Sequence, residues 1–482
     1  MGRCIFGDFI YVSASHYNWL IGYAQLERVD EMQNLTKHEP DRRARSPWSQ
    51  HLEGQEVRLS PLHGAVDATI TIPGSKSFTN RALLIAALAK GTTRLQGILQ
   101  SDDSYWCMNA LRELGTEIEM DGDTVSIQGN EGHWSVSKAD LYVGAAGTVA
   151  RFLPGALAVG HGEWTLDGSK RMTERPLAPL LDALSSLGAD IRYKGNPGCV
   201  PLTLHADGLN GGEVTVSGAV SSQFISGLLL AAPYAKETLT IQIADQIVQR
   251  DYVEMTLDMM WAFGVRPEAH EDGQAITIQP SVYEARTFML EPDVSTCGYF
   301  WALAALTNGR VRIEGISAQT RQPDIELLSV LEKMGCSVTH GEHYIEVRGT
   351  NRLKGGFTVS MQRWSDQTLT LAALAPFADG PITLTDAAHI RHHECDRIAA
   401  MCEELGKLGI QVEEHADGLT VYPGEPQPAL LDPHDDHRMA MALSLIGARV
   451  DGVRIADPGC VSKTCPDFFD RWRELGVGVE VI

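Results

Sequence analysis

No two cysteines stand two residues apart anywhere in this 482-residue chain. The nine present, at 4, 107, 199, 297, 336, 395, 402, 460 and 465, are scattered singly. That excludes the common zinc and redox spacings and a disulfide framework, and it reads as reduced thiols. Long apolar runs are missing as well, so no bilayer-spanning helix is expected. Met1 to Ile21 lack the basic start, apolar block and small-residue cleavage site of a secretory signal. Phe6 breaks the myristoylation pattern that Gly2 would open. These absences point to a cytoplasmic protein. Cations are scarce too: 40 Lys and Arg against 62 Asp and Glu give a formal net charge of -22. Such a surface suits neither nucleic acid nor an anionic membrane. An anionic substrate would therefore need a local basic cluster.

One such cluster is Pro73-Gly74-Ser75-Lys76-Ser77-Phe78-Thr79-Asn80-Arg81. It follows a short alternating stretch, Ala68 to Ile72, and opens an apolar helix, Ala82 to Ala89. The first turn of a helix has unpaired N–H groups and a partial positive charge, which suits an anion. Lys76 and Arg81 strengthen that preference. The Walker pattern is absent, because Ser75 separates Gly74 from Lys76. An ordinary capped helix with solvated cations explains the stretch equally well in isolation.

The repeat around it gives it context. A helix ending in a large apolar residue and Gly recurs at Gly115, Gly188, Gly264, Gly335, Gly409 and Gly476. Subtracting successive numbers gives intervals of 73, 76, 71, 74 and 67. An earlier, more apolar helix begins near Lys76, Gly147, Ser221, Ser295, Asp366 and Asp436 in each copy. β-branched strands such as Arg310–Ile313 and Pro381–Leu384 follow these helices. Hairpin turns are expected at Asp121-Gly122, Asp272-Gly273 and Asp417-Gly418. The unit is β-α-β-α-β-β, six times over. Six units exceed one core, so an α/β protein of two three-repeat domains is expected, with the site in the cleft between them. The expected boundaries are 76–290 for the first domain and 59–75 plus 291–482 for the second, with 1–58 a flexible extension. Met32 is a candidate start. Because the sixth unit ends one strand short, Ala68–Ile72 is expected to complete it. Pro73–Lys76 then becomes a hinge. Buried helices in each domain would aim six N-termini at the cleft.

Polar residues gather at those helix starts. They are Lys76, Ser77 and Arg81; Gly147, Thr148 and Arg151; Ser221, Ser222 and Gln223; Asp293 and Ser295; Asp366; and His434 to Arg438. Lys170 to Arg175, His389 to Arg397 and Lys463 lie close by in sequence. A cap or a solvated charge accounts for any one of them. Together they are more cations than so acidic a chain would place at equivalent positions by accident. His389, His392, His393, His434 and His437 match no standard metal-ligand spacing, so no metal is expected.

These residues resemble the 5-enolpyruvylshikimate-3-phosphate synthase (3-phosphoshikimate 1-carboxyvinyltransferase) family over about residues 60 to 482. The motifs are Gly74-Ser75-Lys76-Ser77-x-x-Asn80-Arg81, Ala146-Gly147-Thr148, Arg171-x-x-x-Arg175-Pro176 and Ser221-Ser222-Gln223. Glu394-x-Asp396-Arg397, Asp436-His437-Arg438-Met439-Ala440 and Lys463-Thr464 complete the set. The resemblance implies two domains of three repeats each. It implies transfer of the enolpyruvyl group of phosphoenolpyruvate to the 5-hydroxyl of shikimate 3-phosphate, without metal or organic cofactor, by a monomer. Carried over residue by residue, Lys76, Arg171, Arg397, Arg438 and Lys463 would hold phosphoenolpyruvate, with Gln223 and the Gly147 backbone beside it. Ser77, Arg81, Ser221, Ser222, Gln223 and Tyr252 would bind the acceptor. Asp366 resembles the base and Glu394 the acid, with Lys76 among the catalytic groups.

Three departures fall on the acceptor side. His393 stands where the family pattern has Lys. Gln249-Arg250-Asp251 replaces Ser before Lys-Pro, so Gln249 meets the acceptor and Arg250 is a candidate to compensate. Ala145 takes the place of Asn. A related transferase for another cyclic acceptor is therefore the alternative. The sister enzyme acting on UDP-N-acetylglucosamine resembles this chain less, because Gly168 to Met172 holds no cysteine. A silent scaffold would not need both carboxylates and all five cations.

Overall fold

Each marker helix ends where the chain turns left-handed: the six glycines at 115, 188, 264, 335, 409 and 476 have φ between 78° and 106°, which side chains with a Cβ resist. The chain then folds back as a strand, and the unit closes as a four-stranded sheet. Six such sheets are present in the computed structural model, which describes residues 40–49, 52, 55–271 and 273–482. Met32 and Asp272, the latter in one expected turn, lie outside the described residues. In every sheet one edge strand pairs parallel with its neighbour and the other two pairings are antiparallel, as in 138–142, 161–167, 202–207 and 190–193.

The apolar helices are α1 (Lys76–Leu88), α2 (Gly147–Val159), α3 (Gln223–Ala231), α4 (Val294–Thr307), α5 (Thr368–Leu374) and α6 (His437–Gly447). Apolar on nearly every face, they can only be interior. Residues 294 to 306 of α4, for example, are all buried. α1, α2 and α3 pack on one another, and so do α4, α5 and α6. Two hydrophobic cores result. One is built from residues 82 to 290, the other from 57 to 72 together with 294 to 477. The fold is the expected two-domain α/β arrangement, and we call the two cores with their sheets lobe one and lobe two.

Two expectations about the early chain are corrected. β2 (Asp67–Thr71) does not complete the sixth unit; it lies parallel to Arg310–Glu314 in the fourth. The missing strand is β1 (Glu56–Ser60), antiparallel to both 453–456 and 478–481. Both stretches alternate apolar and polar, so periodicity could not rank them, and only pairing register separates them. The expected extension 1–58 is likewise too long. β1 is part of a sheet, and Ala44, Arg45 and Ser46 are buried.

The chain passes between lobes at two adjacent places. Ser75 N–H donates to Glu291 O at 2.8 Å, and Asp293 N–H donates to Pro73 O at 2.9 Å. Between them a Cβ at Gly74 would stand 1.9 Å from the Gly97 carbonyl oxygen, so only glycine fits this crossing. Immediately after it, Lys76 opens α1.

Candidate active site

The starts of α1, α2, α3, α5 and α6 meet in a cavity of about 50 Å³. Its walls are Lys76, Ser77, Arg81, Asp103, Gly147, Thr148, Arg151, Arg175, Val220, Ser221, Gln223, Gln249, Tyr252, Asp366, His393, Glu394, Arg397 and Arg438. Six of these are cations and three are carboxylates, so the cavity holds an excess of positive charge inside an acidic protein. An anion is the guest such walls select. The start of α4 does not join them. Its cap Asp293 accepts from the Lys76 and Thr296 N–H groups, and Ser295 bonds the buried Asp324. Those acids would repel an anionic substrate, so the six expected N-termini become five. A second cavity of about 750 Å³ lies beside the crossing strands, lined by Pro73, Gly74, Leu290 and Pro292 among others; it lacks that convergence of charge.

Arg397 organises the acidic side of the site. It begins the marker helix of the fifth unit, Arg397–Lys407, and is 1% exposed. Its Nη1 donates to Asp366 Oδ1 at 3.0 Å, its Nη2 to Glu394 Oε2 at 3.0 Å and its Nε to Asp436 Oδ2 at 2.7 Å. One planar fork thus holds three carboxylates apart and in fixed directions. Asp366 meets Arg438 Nη2 at 2.8 Å on its other oxygen. Burial pushes Asp366 up, but Arg438 and then Arg397 overcome it and hold the group below the ordinary carboxylate range. Glu394 Oε1 accepts from Lys463 Nζ at 2.7 Å and lies 3.4 Å from Arg175 Nη1. Burial raises Glu394 as well, yet Lys463, Arg175 and Arg397 hold it well below its usual value. Both carboxyls are therefore ionised before any substrate charge arrives. Burial lowers Lys76, with Asp103, 3.8 Å from its Nζ, opposing that shift.

Both lobes contribute, and contacts across the cleft are direct. Lys463 Nζ, from lobe two, donates to the Ala145 carbonyl at 2.8 Å. Arg171, from lobe one, donates through Nε and Nη2 to the His393 carbonyl at 3.1 and 3.0 Å. Gln249 donates from Nε2 to Ser365 Oγ at 3.1 Å. Asp102 accepts from Ser462 Oγ at 2.5 Å.

Of the residues given a catalytic or substrate-binding role from the sequence, Arg171, Ser222 and Lys463 are the ones that are not cavity walls. Lys463 and Arg171 touch the residues that are, as just described, while Ser222 is buried at the start of α3. Arg81 is a wall whose guanidinium is already held by Thr256, the Ser77 and Tyr252 carbonyls and Ser226. Arg250 does not compensate for Gln249. It pairs with Glu254 at 3.2 Å and is not among the cavity walls. Burial, then Arg397, hold His393 well below its usual value. Arg397 Nη1 lies 3.1 Å from His393 Nδ1. A neutral ring accepting there carries its proton on Nε2.

Asp103, Arg151 and Arg175 are cavity walls that sequence reasoning underweighted. Asp103 sits in Ser101-Asp102-Asp103-Ser104, which reads as a routine capping sequence and does form a capping box. Arg151 donates to Gln223 Oε1 at 2.9 Å, and burial lowers it to about 9. Arg175 was visible only as part of a motif. Among the described residues, one group of potential ligands, Glu403, Glu404 and His434, lies within 4.8 Å. Lys407 already occupies it, 3.0 and 2.7 Å from the two glutamates. Among the described residues no helix is long and apolar enough to cross a membrane.

The model of the EPSP synthase (3-phosphoshikimate 1-carboxyvinyltransferase) family matches residues 62–472. A protein of Halalkalibacterium halodurans named 3-phosphoshikimate 1-carboxyvinyltransferase 2 is 53% identical over 442 residues, covering 91% of this chain and 98% of its own. The 3-phosphoshikimate 1-carboxyvinyltransferase of Trichormus variabilis is 43% identical over 421 residues, 87% of this chain and 99% of its own. Among solved structures, an EPSP synthase from Acinetobacter baumannii superposes with a TM-score of 0.75 at 26% identity, covering 89% of this chain and all of that one.

Proposed function

This chain belongs to the EPSP synthase (3-phosphoshikimate 1-carboxyvinyltransferase) family, and from that premise we propose which of its side chains carry the reaction. It is a transferase of the shikimate pathway. It moves the enolpyruvyl group of phosphoenolpyruvate to the 5-hydroxyl of shikimate 3-phosphate and releases phosphate. The observation that carries our assignment is the single Arg397 fork, which holds Asp366 and Glu394 on adjacent nitrogens at 3.0 Å each. Two carboxyls set apart in this way can serve two different protons.

Lys76, Arg397, Arg438 and Lys463 hold the phosphate and carboxylate of phosphoenolpyruvate, with Arg171 and Arg175 closing over it from lobe one. Ser77, Arg81, Ser221, Ser222, Gln223, Gln249, Tyr252 and His393 surround the acceptor. Asp366 takes the proton of the 5-hydroxyl as its oxygen bonds to C2 of the donor, and Glu394 gives a proton to C3. The tetrahedral species then loses phosphate, which carries off the proton taken by Asp366, as C3 returns its proton to Glu394 and the double bond is regenerated. Closing the lobes excludes water from that species and strengthens each charge contact. We place the domain boundaries at 76–290 and at 56–75 with 291–482, because the two cores divide there, with the hinge at the crossing near Gly74. We read the protein as a cytoplasmic monomer.

The test is acceptor dependence. Purified protein should release phosphate from phosphoenolpyruvate only when shikimate 3-phosphate is added. Turnover with another cyclic acceptor and none with this one points instead to the related transferase that Gln249 and His393 allow.

Gly147→Ala offers a second check on the donor side. Its Cβ would stand 2.7 to 2.9 Å from the Arg175 guanidinium, a contact relieved only by moving that side chain. The KM for phosphoenolpyruvate should rise about tenfold or more, with little change in the KM for the acceptor. An unchanged donor KM would remove Gly147 from the donor pocket.

A further inference from the structure

Residues 41–49 precede the family match, which begins at 62, yet they run along both lobes beside the active site. On the lobe-two side, Arg45 Nη1 donates to Asp457 Oδ1 at 2.9 Å and Nη2 to Asp435 Oδ1 at 3.1 Å, with Nη2 also on Asp457 Oδ2. The Asp41 N–H donates to Asp435 Oδ2 at 3.2 Å. On the lobe-one side, the Asp41 carboxylate accepts the Lys170 N–H at 2.8 Å, next to Arg171. The Ala44 carbonyl accepts from Trp106 Nε1 at 2.6 Å, and Ser46 N–H donates to Asp102 Oδ1 at 2.8 Å. Trp48 packs edge-on against Tyr105, and the Arg43 guanidinium lies 4.6 Å above the Tyr142 ring.

The lobe-two anchors are not arbitrary. Asp435 and Asp457 both have left-handed backbones, with φ of 53° and 42°, a conformation that costs energy outside glycine. Asp435 directly precedes the cap of α6, which carries Arg438. Asp457 caps the short 3-10 helix Pro458–Lys463, which carries Lys463. One buried guanidinium therefore pins the two turns that present two of the cations facing Asp366 and Glu394. Asp41, at the start of the segment, grips the loop that presents Arg171.

We propose that residues 41–49 are a strap that holds the lobes closed on phosphoenolpyruvate, with Arg45 the positioning residue toward lobe two and Asp41 the one toward the Lys170 loop of lobe one. This rests on the substrate reading above. A protein whose binding-competent closed form is less populated shows a proportionally weaker apparent affinity. Loosening the strap should therefore act on donor KM and leave the chemical step alone.

The experiment cuts each grip separately in the full-length protein. Arg45→Ala removes the lobe-two grip; Asp41→Ala removes the bond to Lys170 in lobe one while keeping its backbone contact to Asp435, and is combined with Trp106→Phe, which removes the bond to the Ala44 carbonyl. Each should raise the KM for phosphoenolpyruvate about fivefold or more, with kcat within about twofold. Asp41→Asn keeps an oxygen for Lys170 and should stay close to the parent. An impaired Arg45→Ala beside a normal Asp41→Ala/Trp106→Phe variant overturns the strap, because Arg45 then only shapes its own turns. Two normal variants overturn it outright. Hydrogen exchange separates this from a wrong substrate assignment. In Arg45→Ala the Lys170 amide, which Arg45 does not touch, should exchange about tenfold faster or more, whatever the acceptor. Unchanged protection there sinks the strap even if the parent turns over as proposed.

Discussion

Asp366→Asn should lower kcat by about a hundredfold or more while donor KM stays the same or falls. The amide has nearly the same shape and keeps an oxygen for Arg397 or Arg438, so the surroundings need not rearrange. What it lacks is the capacity to take a proton from the 5-hydroxyl. Donor binding should not suffer, because removing one negative charge leaves Arg397 and Arg438 less neutralised toward an incoming anion. A structural role for Asp366 predicts the reverse pattern, with loosened arginines and a raised KM. In the free protein Asp366 is a weak base, since Arg438 and Arg397 outweigh the effect of its burial. Donor charge drawn to those same arginines would raise its basicity when the acceptor hydroxyl is in place. Turnover within tenfold of the parent would take Asp366 out of the base role.

The repeat was legible because it is written in local chemistry. Buried helices need apolar residues on every face, marker helices need a left-handed glycine to end them, and both signals recur at nearly constant spacing. The helix starts were legible for the same reason, down to α1 beginning at Lys76 and α2 at Gly147. Strand assignment near the chain start was not. Glu56–Ser60 and Asp67–Thr71 are both short alternating stretches, and which sheet each enters depends on residues hundreds of positions away. The site shows the same division. Cations at helix starts stood out against an acidic background, whereas Asp103 was disguised by its place in a capping sequence. Arg45 was hidden more completely, because Asp435 and Asp457 lie about 400 residues from it in sequence. At Gln249 the extra length reaches the Ser365 hydroxyl in the other lobe while the side chain remains a cavity wall. His393, kept neutral by burial and Arg397, can offer the acceptor a hydrogen bond through Nε2 without the charge of a lysine.

Glu394→Gln tests the other half of the proton transfer, and here the charge balance makes the result more specific than lost activity. Glu394 must hold a proton to give one to C3, yet Lys463, Arg175 and Arg397 keep it ionised in the free protein against the pull of burial. The donor reverses that balance. Its phosphate and carboxylate bring negative charge beside Glu394 and engage the same three cations, so binding must raise the glutamate's affinity for a proton. Phosphoenolpyruvate binding is thereby coupled to proton uptake. By linkage, such binding tightens as pH falls and weakens as pH rises, over the range between the depressed free value and the raised bound one. Glutamine cannot take up that proton. The variant should lose about a hundredfold or more in kcat. In calorimetric titrations repeated in buffers of different ionisation enthalpy, it should also take up about one proton fewer on forming the complex with both substrates. Equal proton uptake by parent and variant would move the acid to another group, even if Glu394→Gln were inactive. Normal turnover would remove Glu394 from the chemistry and leave it as an ion-pair partner of Lys463 and Arg397.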